Sequence, residues 1–196
     1  MSKTRRRKSA RKTSDHLLPR EVVALLKAAK RSGRHGHRNY TLILLCYRHG
    51  LRVSELTELR WRMVDLKRRL LRVNRAKGGI NSVHPLSASE VAALREVKAD
   101  YPGQSYIFVT NRGGALSKRT VARIVAQAGR DAGLETVVSP GMLRLSCGYA
   151  LARAGRNMVA LQHYLGYRNM RHAMRFFEMP DKPFKDFWKD LGAEAA

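Results

Sequence analysis

A chain of 196 residues fits one ordinary domain with a tail and is long enough to bury a substantial core. Its 39 Lys and Arg against 15 Asp and Glu leave a formal charge of +24, far beyond what solubility requires, so a polyanionic partner is expected, nucleic acid before an acidic membrane surface. No apolar run approaches the ~20 residues of a membrane span, no cleavable leader follows the basic start, and two Cys with seven His form no zinc-ligand spacing. These features predict a soluble, cytoplasmic, nucleoid-associated protein with no metal or other cofactor, in which Cys46 and Cys147 are reduced, buried thiols.

Residues 1–12 hold seven Lys or Arg and no acid, too charged a block to pack, so residues 1–17 read as a disordered basic arm. From Pro19 the spacing of Val22, Leu25, Leu26 and Ala29 predicts an amphipathic helix ending near Ser32 and Gly33. A polar loop, GRHGHR, separates it from an apolar helix over 40–49 that closes on Gly50. A short helix over 53–60 follows, with Arg52 at the junction, beside a glycine and between apolar residues. Val64–Leu66, Leu70–Val73 and Ser82–Leu86 read as three short antiparallel strands, and Lys77 sits at the tip of the second hairpin beside Gly78 and Gly79.

Ser87 and Glu90 form a capping-box start for a helix to about Asp100, and 106–109 is a buried apolar run before a glycine turn. Ser117 caps a helix from Lys118 to about Ala132 whose core stripe is Val121, Ile124, Val125 and Ala128. Lys118, Arg119 and Arg123 fall off that stripe and offer a basic face, either solvated or laid against DNA. The next helix starts at Ser139 and Pro140 and runs to Ala154 with Leu143, Cys147, Ala150, Leu151 and Ala154 inward; Gly141 and Arg144 share one face of its first turn. Asn157 caps a helix stopped by Gly166, and one more runs over 170–178. Within 181–196, Phe184, Phe187, Trp188 and Leu191 form an apolar stripe that folds back or docks in trans.

Five stretches in this order, RHGLRVSEL (48–56), RAKGGINSVHPL (75–86), LSKRTVARI (116–124), SPGMLRLSCGYALA (139–152) and LQHYLGYRNMRHAMRF (161–176), resemble the tyrosine recombinase, or phage integrase, family, most of all its short fimbrial phase-variation members. The resemblance implies a mainly α fold with a small antiparallel β-sheet, the tyrosine-recombinase catalytic-domain fold, over residues 18–180. It also implies a metal-free chemistry in which a Tyr hydroxyl attacks a DNA phosphodiester, so that side chains must supply all the charge compensation. Arg52 then matches the first phosphate-binding arginine, Glu55 its supporting carboxylate, Lys77 the leaving-group acid and Arg144 the second arginine. Arg168, Arg171 and Arg175 join Lys118, Arg119 and Arg123 as DNA-contacting candidates.

The departures are as informative. Gly141 and Tyr167 stand where the family has His, Leu145 replaces a His common after the second arginine, and Phe176 occupies the place of the nucleophilic Tyr. Tyr164 and Tyr167 are the only nearby substitutes, and both are expected on the wrong side of the helix turn. The favoured reading is a DNA-binding protein of site-specific recombination or its regulation that does not cut, acting on double-stranded DNA as a homo-oligomer or with a related recombinase. The alternatives are an active recombinase with an engineered or relocated nucleophile, and an architectural basic nucleic-acid-binding protein.

Overall fold

The computed structural model describes residues 15–177; the basic arm over 1–12 and the stripe of Phe184, Phe187, Trp188 and Leu191 lie outside them. The described residues form eight helices and one sheet: α1 (Pro19–Lys30), α2 (Gly36–Arg48), α3 (Val53–Thr57), β1 (Val64–Asp65), β2 (Leu70–Val73), β3 (Ser82–Pro85), α4 (Ala88–Asp100), α5 (Lys118–Asp131), α6 (Pro140–Arg153), α7 (Met158–Leu165) and α8 (Arg171–Met174). None of these helices is long and apolar enough to cross a membrane.

Helix boundaries follow the capping chemistry of the sequence. Ser87, Ser117, Ser139 and Asn157 each accept a hydrogen bond from the backbone N–H three residues on, worth about 1 kcal/mol apiece. Gly166 ends α7 at φ +68°, a left-handed turn that a Cβ would strain. The sheet is antiparallel in the order β1-β2-β3, with Leu71 opposite His84 and Arg72 opposite Val83. Period-2 alternation sends Leu71 and Val73 into the core and Arg72 out to solvent.

One large core joins α1, α2, α4, α5 and the first turn of α6 to the sheet, around Leu25, Leu42, Leu45, Leu94, Phe108, Val125 and Leu143. A smaller cluster of Cys147, Leu161, Leu165 and Phe176 seats α7 and α8 on the far half of α6. Cys46 and Cys147 are free and buried, and burial pushes both thiols up to about 12.

Several expectations are corrected. The loop GRHGHR is a 3-10 turn over Gly33–His35 followed at once by α2, because Arg38 is buried and donates to the Val109 carbonyl at 2.8 Å, anchoring that turn to the 106–109 segment. The helices expected over 53–60 and 170–178 are short, Val53–Thr57 and Arg171–Met174. Ala154 is exposed and caps α6 instead of facing inward. Within 15–17 of the expected arm Asp15 is exposed, His16 stacks on Tyr149, and Leu17 is in the core with its N–H bonded to Ser146 Oγ at 2.8 Å.

Candidate functional site

The α2–α3 junction builds the first wall. Gly50 turns the chain at φ +55°, and Arg52 then occupies the N-cap of α3 with its backbone N–H on Glu55 Oε2 at 2.9 Å. The Arg52 guanidinium folds back onto Glu55 Oε1 at 2.7 Å and keeps 24% of its side chain exposed, while the carboxylate is 1% exposed. Burial alone would raise the Glu55 pKa; the Arg75 charge and the N–H groups of Arg52 and Ala76 outweigh it and lower it, so the carboxylate is ionised at neutral pH.

Arg75 closes the second wall, and sequence reasoning passed over it. It is wholly buried, and its guanidinium donates to Glu55 Oε2 at 2.8 Å, to the Gly50 carbonyl at 3.2 Å, to the His49 carbonyl at 3.1 Å and to the Tyr164 carbonyl. The period-2 pattern Leu71, Val73, Arg75 was the available signal, since it continues the inward face of β2. In a chain with 39 basic residues such a signal is easily read as one more solvated cation.

Arg144 comes from the second turn of α6. Its guanidinium donates to the Gly50 carbonyl and, at 2.6 Å, to the Leu165 carbonyl, so the end of α2 and the end of α7 orient it. Tyr167 faces both predicted arginines: its ring centre is 4.8 Å from Arg144 Cζ and 6.0 Å from Arg52 Cζ. The expected wrong-side placement therefore holds for Tyr164 alone. Tyr164 donates to the Arg48 carbonyl at 2.9 Å and stacks on His84 with ring centres 3.9 Å apart, and burial pushes its hydroxyl up, away from ionisation. Tyr167 instead follows the left-handed Gly166, which reverses the chain and swings the ring toward α3 and α6.

The β2–β3 loop is docked onto the same place. Ala76 N–H donates to Glu55 Oε1 at 3.0 Å and Ile80 N–H to the Gly166 carbonyl at 3.3 Å. A Cβ on Gly79 would come within 2.6 Å of that carbonyl, so only glycine allows the approach. Lys77 is exposed between these anchors at φ +56°, and the Arg168 guanidinium lies over Gly78.

The remaining candidates divide. Lys118, Arg119 and Arg123 are exposed on α5, which packs against α3. Arg171 is exposed; Arg175 is engaged with Asp15 at 2.7 Å. Gly141 is exposed on α6 with only Ser139 Oγ near its face, and Leu145 is half-buried beside the smaller cluster. Phe176 is 5% exposed, edge-on to Tyr149 with ring centres 5.1 Å apart and pressed on the backbone of Gly148, one turn beyond Arg144. Arg52, Glu55, Arg144 and Tyr167 thus lie side by side, with the Lys77 loop docked next to them through Glu55. The chemistry of this group is that of forked cationic donors for an oxyanion. No His, Cys, Asp and Glu group among the described residues could hold a metal ion.

A second polar cluster, which the sequence did not suggest, joins the end of α2 to β3 and α4. His49 Nδ1 is 3.1 Å from His84 Nδ1, His84 Nε2 is 2.8 Å from Ser82 Oγ, and His49 Nε2 is 3.0 Å from Glu90 Oε1, an ion-pair distance off hydrogen-bond alignment.

Comparison with known proteins bears on this geometry. The phage integrase family model matches residues 15–182. The type 1 fimbriae regulatory protein FimB of Escherichia coli K12 is 38% identical over 186 residues, 92% of each chain, and FimE of the same strain is 38% identical over 180 residues, 89% of this chain and 90% of the other. Among solved structures, XerA recombinase superposes with a TM-score of 0.75 at 23% identity, and XerH site-specific recombinase bound to its difH substrate with 0.77 at 20%. Alignment covers 90% and 94% of this chain but only 64% and 56% of those two, and the likeness shows a common catalytic-domain fold.

Proposed function

The chain belongs to the phage integrase family of tyrosine recombinases, and from that premise we propose that it grips duplex DNA as a recombinase does and does not cut it. Arg52 and Arg144 fork onto the oxygens of one backbone phosphate, Lys77 reaches the same group from its loop, and Lys118, Arg119 and Arg123 contact neighbouring phosphates. Tyr167 takes the place of an imidazole at the rim of this grip.

Residue 176 carries the reading. Phe176 occupies the position of the family's nucleophile, and its ring has no oxygen with which to form a phosphotyrosine bond. The loss of an acid–base His or a phosphate donor costs ~10²–10⁴-fold each in rate and leaves a slow enzyme; the loss of the hydroxyl removes the bond itself. A protein that holds recombination DNA uncut suits a regulator, one that covers a site or joins the assembly of an active relative. Incubation with suicide substrates, whose nicks trap any covalent intermediate, should give no protein–DNA adduct. An adduct would overturn the reading.

One observation favours a second reading, an active recombinase with a relocated nucleophile: Tyr167 lies beside both arginines. Mass-spectrometric mapping of any trapped adduct decides it, since this reading requires the phosphodeoxyribose on Tyr167.

A further inference from the structure

The fold gathers a second set of cations around the end of β2 opposite the Lys77 loop. A surface groove of about 510 Å³ is lined by Arg62 from the 3-10 turn before β1, Lys67 and Arg68 from the β1–β2 turn, Arg72 on the outward face of β2 and Lys98 on α4. Its floor is Met63, Val64, Leu66 and Leu70. All five cations are exposed. The groove's single acid, Asp65, is already engaged: its Oδ1 accepts from the backbone N–H groups of Lys67 and Arg68 at 3.0 and 2.8 Å, which shapes the turn. Lys98 is steadied over the Trp61 ring at 5.6 Å. Four chain segments thus bring positive charge to one concavity, and its one acid reaches a single cation side chain, Asp65 Oδ2 to Arg68 Nε at 4.0 Å.

Strand β2 fixes where this groove lies. Its far end leads into the Lys77 loop and its near end into the Lys67–Arg68 turn, so four strand residues, about 13 Å of extended chain, separate the two. One phosphate cannot be held from both ends. The outward face of the sheet at this position also leaves Val83 57% exposed opposite Arg72, so no element of the described chain covers it.

We propose that this groove is a second DNA-backbone site, taking the phosphates of a duplex segment other than the one at Arg52 and Arg144. The inference rests on the DNA-binding reading above and goes beyond it in giving the sheet side of the domain its own contact. Charge complementarity selects the occupant: a regular polyanion offers successive phosphates to cations spread over several residues, and each contact releases counterions. The half-apolar floor suits the sugar edges of the backbone.

The test compares salt dependence in three proteins. Wild type, a groove variant (Arg62→Ala, Arg72→Ala, Lys98→Ala) and a control variant (Arg20→Ala, Lys27→Ala, Arg31→Ala) are titrated with a 40-base-pair and a 12-base-pair duplex. The control removes the same charge from exposed positions of α1 and its C-terminal end, and thermal melting of each variant confirms an intact fold. The proposal expects the groove variant's log–log salt slope on the long duplex to be shallower than the control's by about two to three units, with the two indistinguishable on the short one. Matching slopes on the long duplex would overturn it, as would a groove effect confined to the short duplex, which would place these cations on the segment at Arg52 and Arg144. Wild type that failed to bind the long duplex at all would instead sink the DNA-binding reading itself.

Discussion

Arg75 and Glu55 form an ion pair that water does not reach: the guanidinium is 2.8 Å from the carboxylate, and the two side chains are 0% and 1% exposed. Because Arg52 holds the other oxygen of the same carboxylate, the pair links the exposed cation to the interior. Removal of one partner of such a buried pair typically costs 3–5 kcal/mol, since it leaves the other charge desolvated and unanswered. Glu55→Ala is therefore expected to lose about that much in urea unfolding. Arg52→Ala leaves the buried pair intact and should cost under about 1 kcal/mol while weakening duplex binding. Equal stability losses in the two variants would show that Arg75 is not the residue that needs Glu55.

How much of this was legible in the sequence follows from which residues act by contact and which by placement. Arg52, Lys77 and Arg144 are marked by motif and spacing, and their elements fall where glycine stops and serine caps predict. His49 and His84 carry no such mark, Arg75 is signalled only by the inward period-2 face of β2, and Glu90 reads as a capping residue. The packing of α2, α4, α7 and the sheet reveals that all four are inside. Tyr167 was misplaced for a related reason: a left-handed glycine redirects the next side chain by an amount that helical periodicity does not encode.

The His49–His84–Glu90 cluster makes a pH prediction. Burial, with the neighbouring His49 and Arg75 charges, lowers His84 from the ordinary 6.5 to about 3, so below pH 6.5 the unfolded chain takes up a proton that the folded chain refuses. Stability must then fall as pH drops through that window, by up to about 1.4 kcal/mol per unit. Burial pushes Glu90 up, but the adjacent His49 ring and the bonds from Ser87 outweigh this and hold it at about 2 against an ordinary 4.5, so its contribution is complete above 4.5 and is lost toward pH 2. Both signs agree, and urea midpoints should decline steadily from pH 7 to 3. His84→Phe should flatten the upper part of that decline; a wild-type midpoint constant down to pH 5 would contradict the assignment.

Gly79 tests whether the Lys77 loop must be docked. A Cβ there would lie 2.6 Å from the Gly166 carbonyl and 2.9 Å from Arg75 Cβ, neither of which can yield easily. Gly79→Ala should push the loop off Gly166 and weaken duplex binding by roughly tenfold, about 1.4 kcal/mol or one lost charge-assisted contact. The core beneath stays packed, so the melting temperature should fall little by comparison. A variant that melts early yet binds normally would show that the loop braces the fold and does not serve the DNA.

Phe176 offers the sharpest separation between a switched-off site and an eroded one. Its ring is pressed on Gly148, where a Cβ would meet the Cε1 and Cζ carbons at 2.4 Å, so Gly148→Ala should cost about 1–3 kcal/mol through overpacking. The ring is thus part of the smaller core, besides standing where the proposed reading puts a lost hydroxyl. Phe176→Tyr restores the oxygen but leaves Gly141, Leu145 and Tyr167 without imidazoles, and at ~10²–10⁴-fold each such losses compound to a rate below detection. The single variant should therefore trap no DNA on a suicide substrate. Adding Gly141→His is sterically free, because nothing but Ser139 Oγ lies within 4 Å of a Cβ there. The combination of Phe176→Tyr, Gly141→His, Leu145→His and Tyr167→His should then yield a slow covalent adduct, provided the arginine grip is as assembled as its geometry indicates. An adduct from Phe176→Tyr alone would mean that the hydroxyl was the one functional loss and that the other three positions never limited the chemistry.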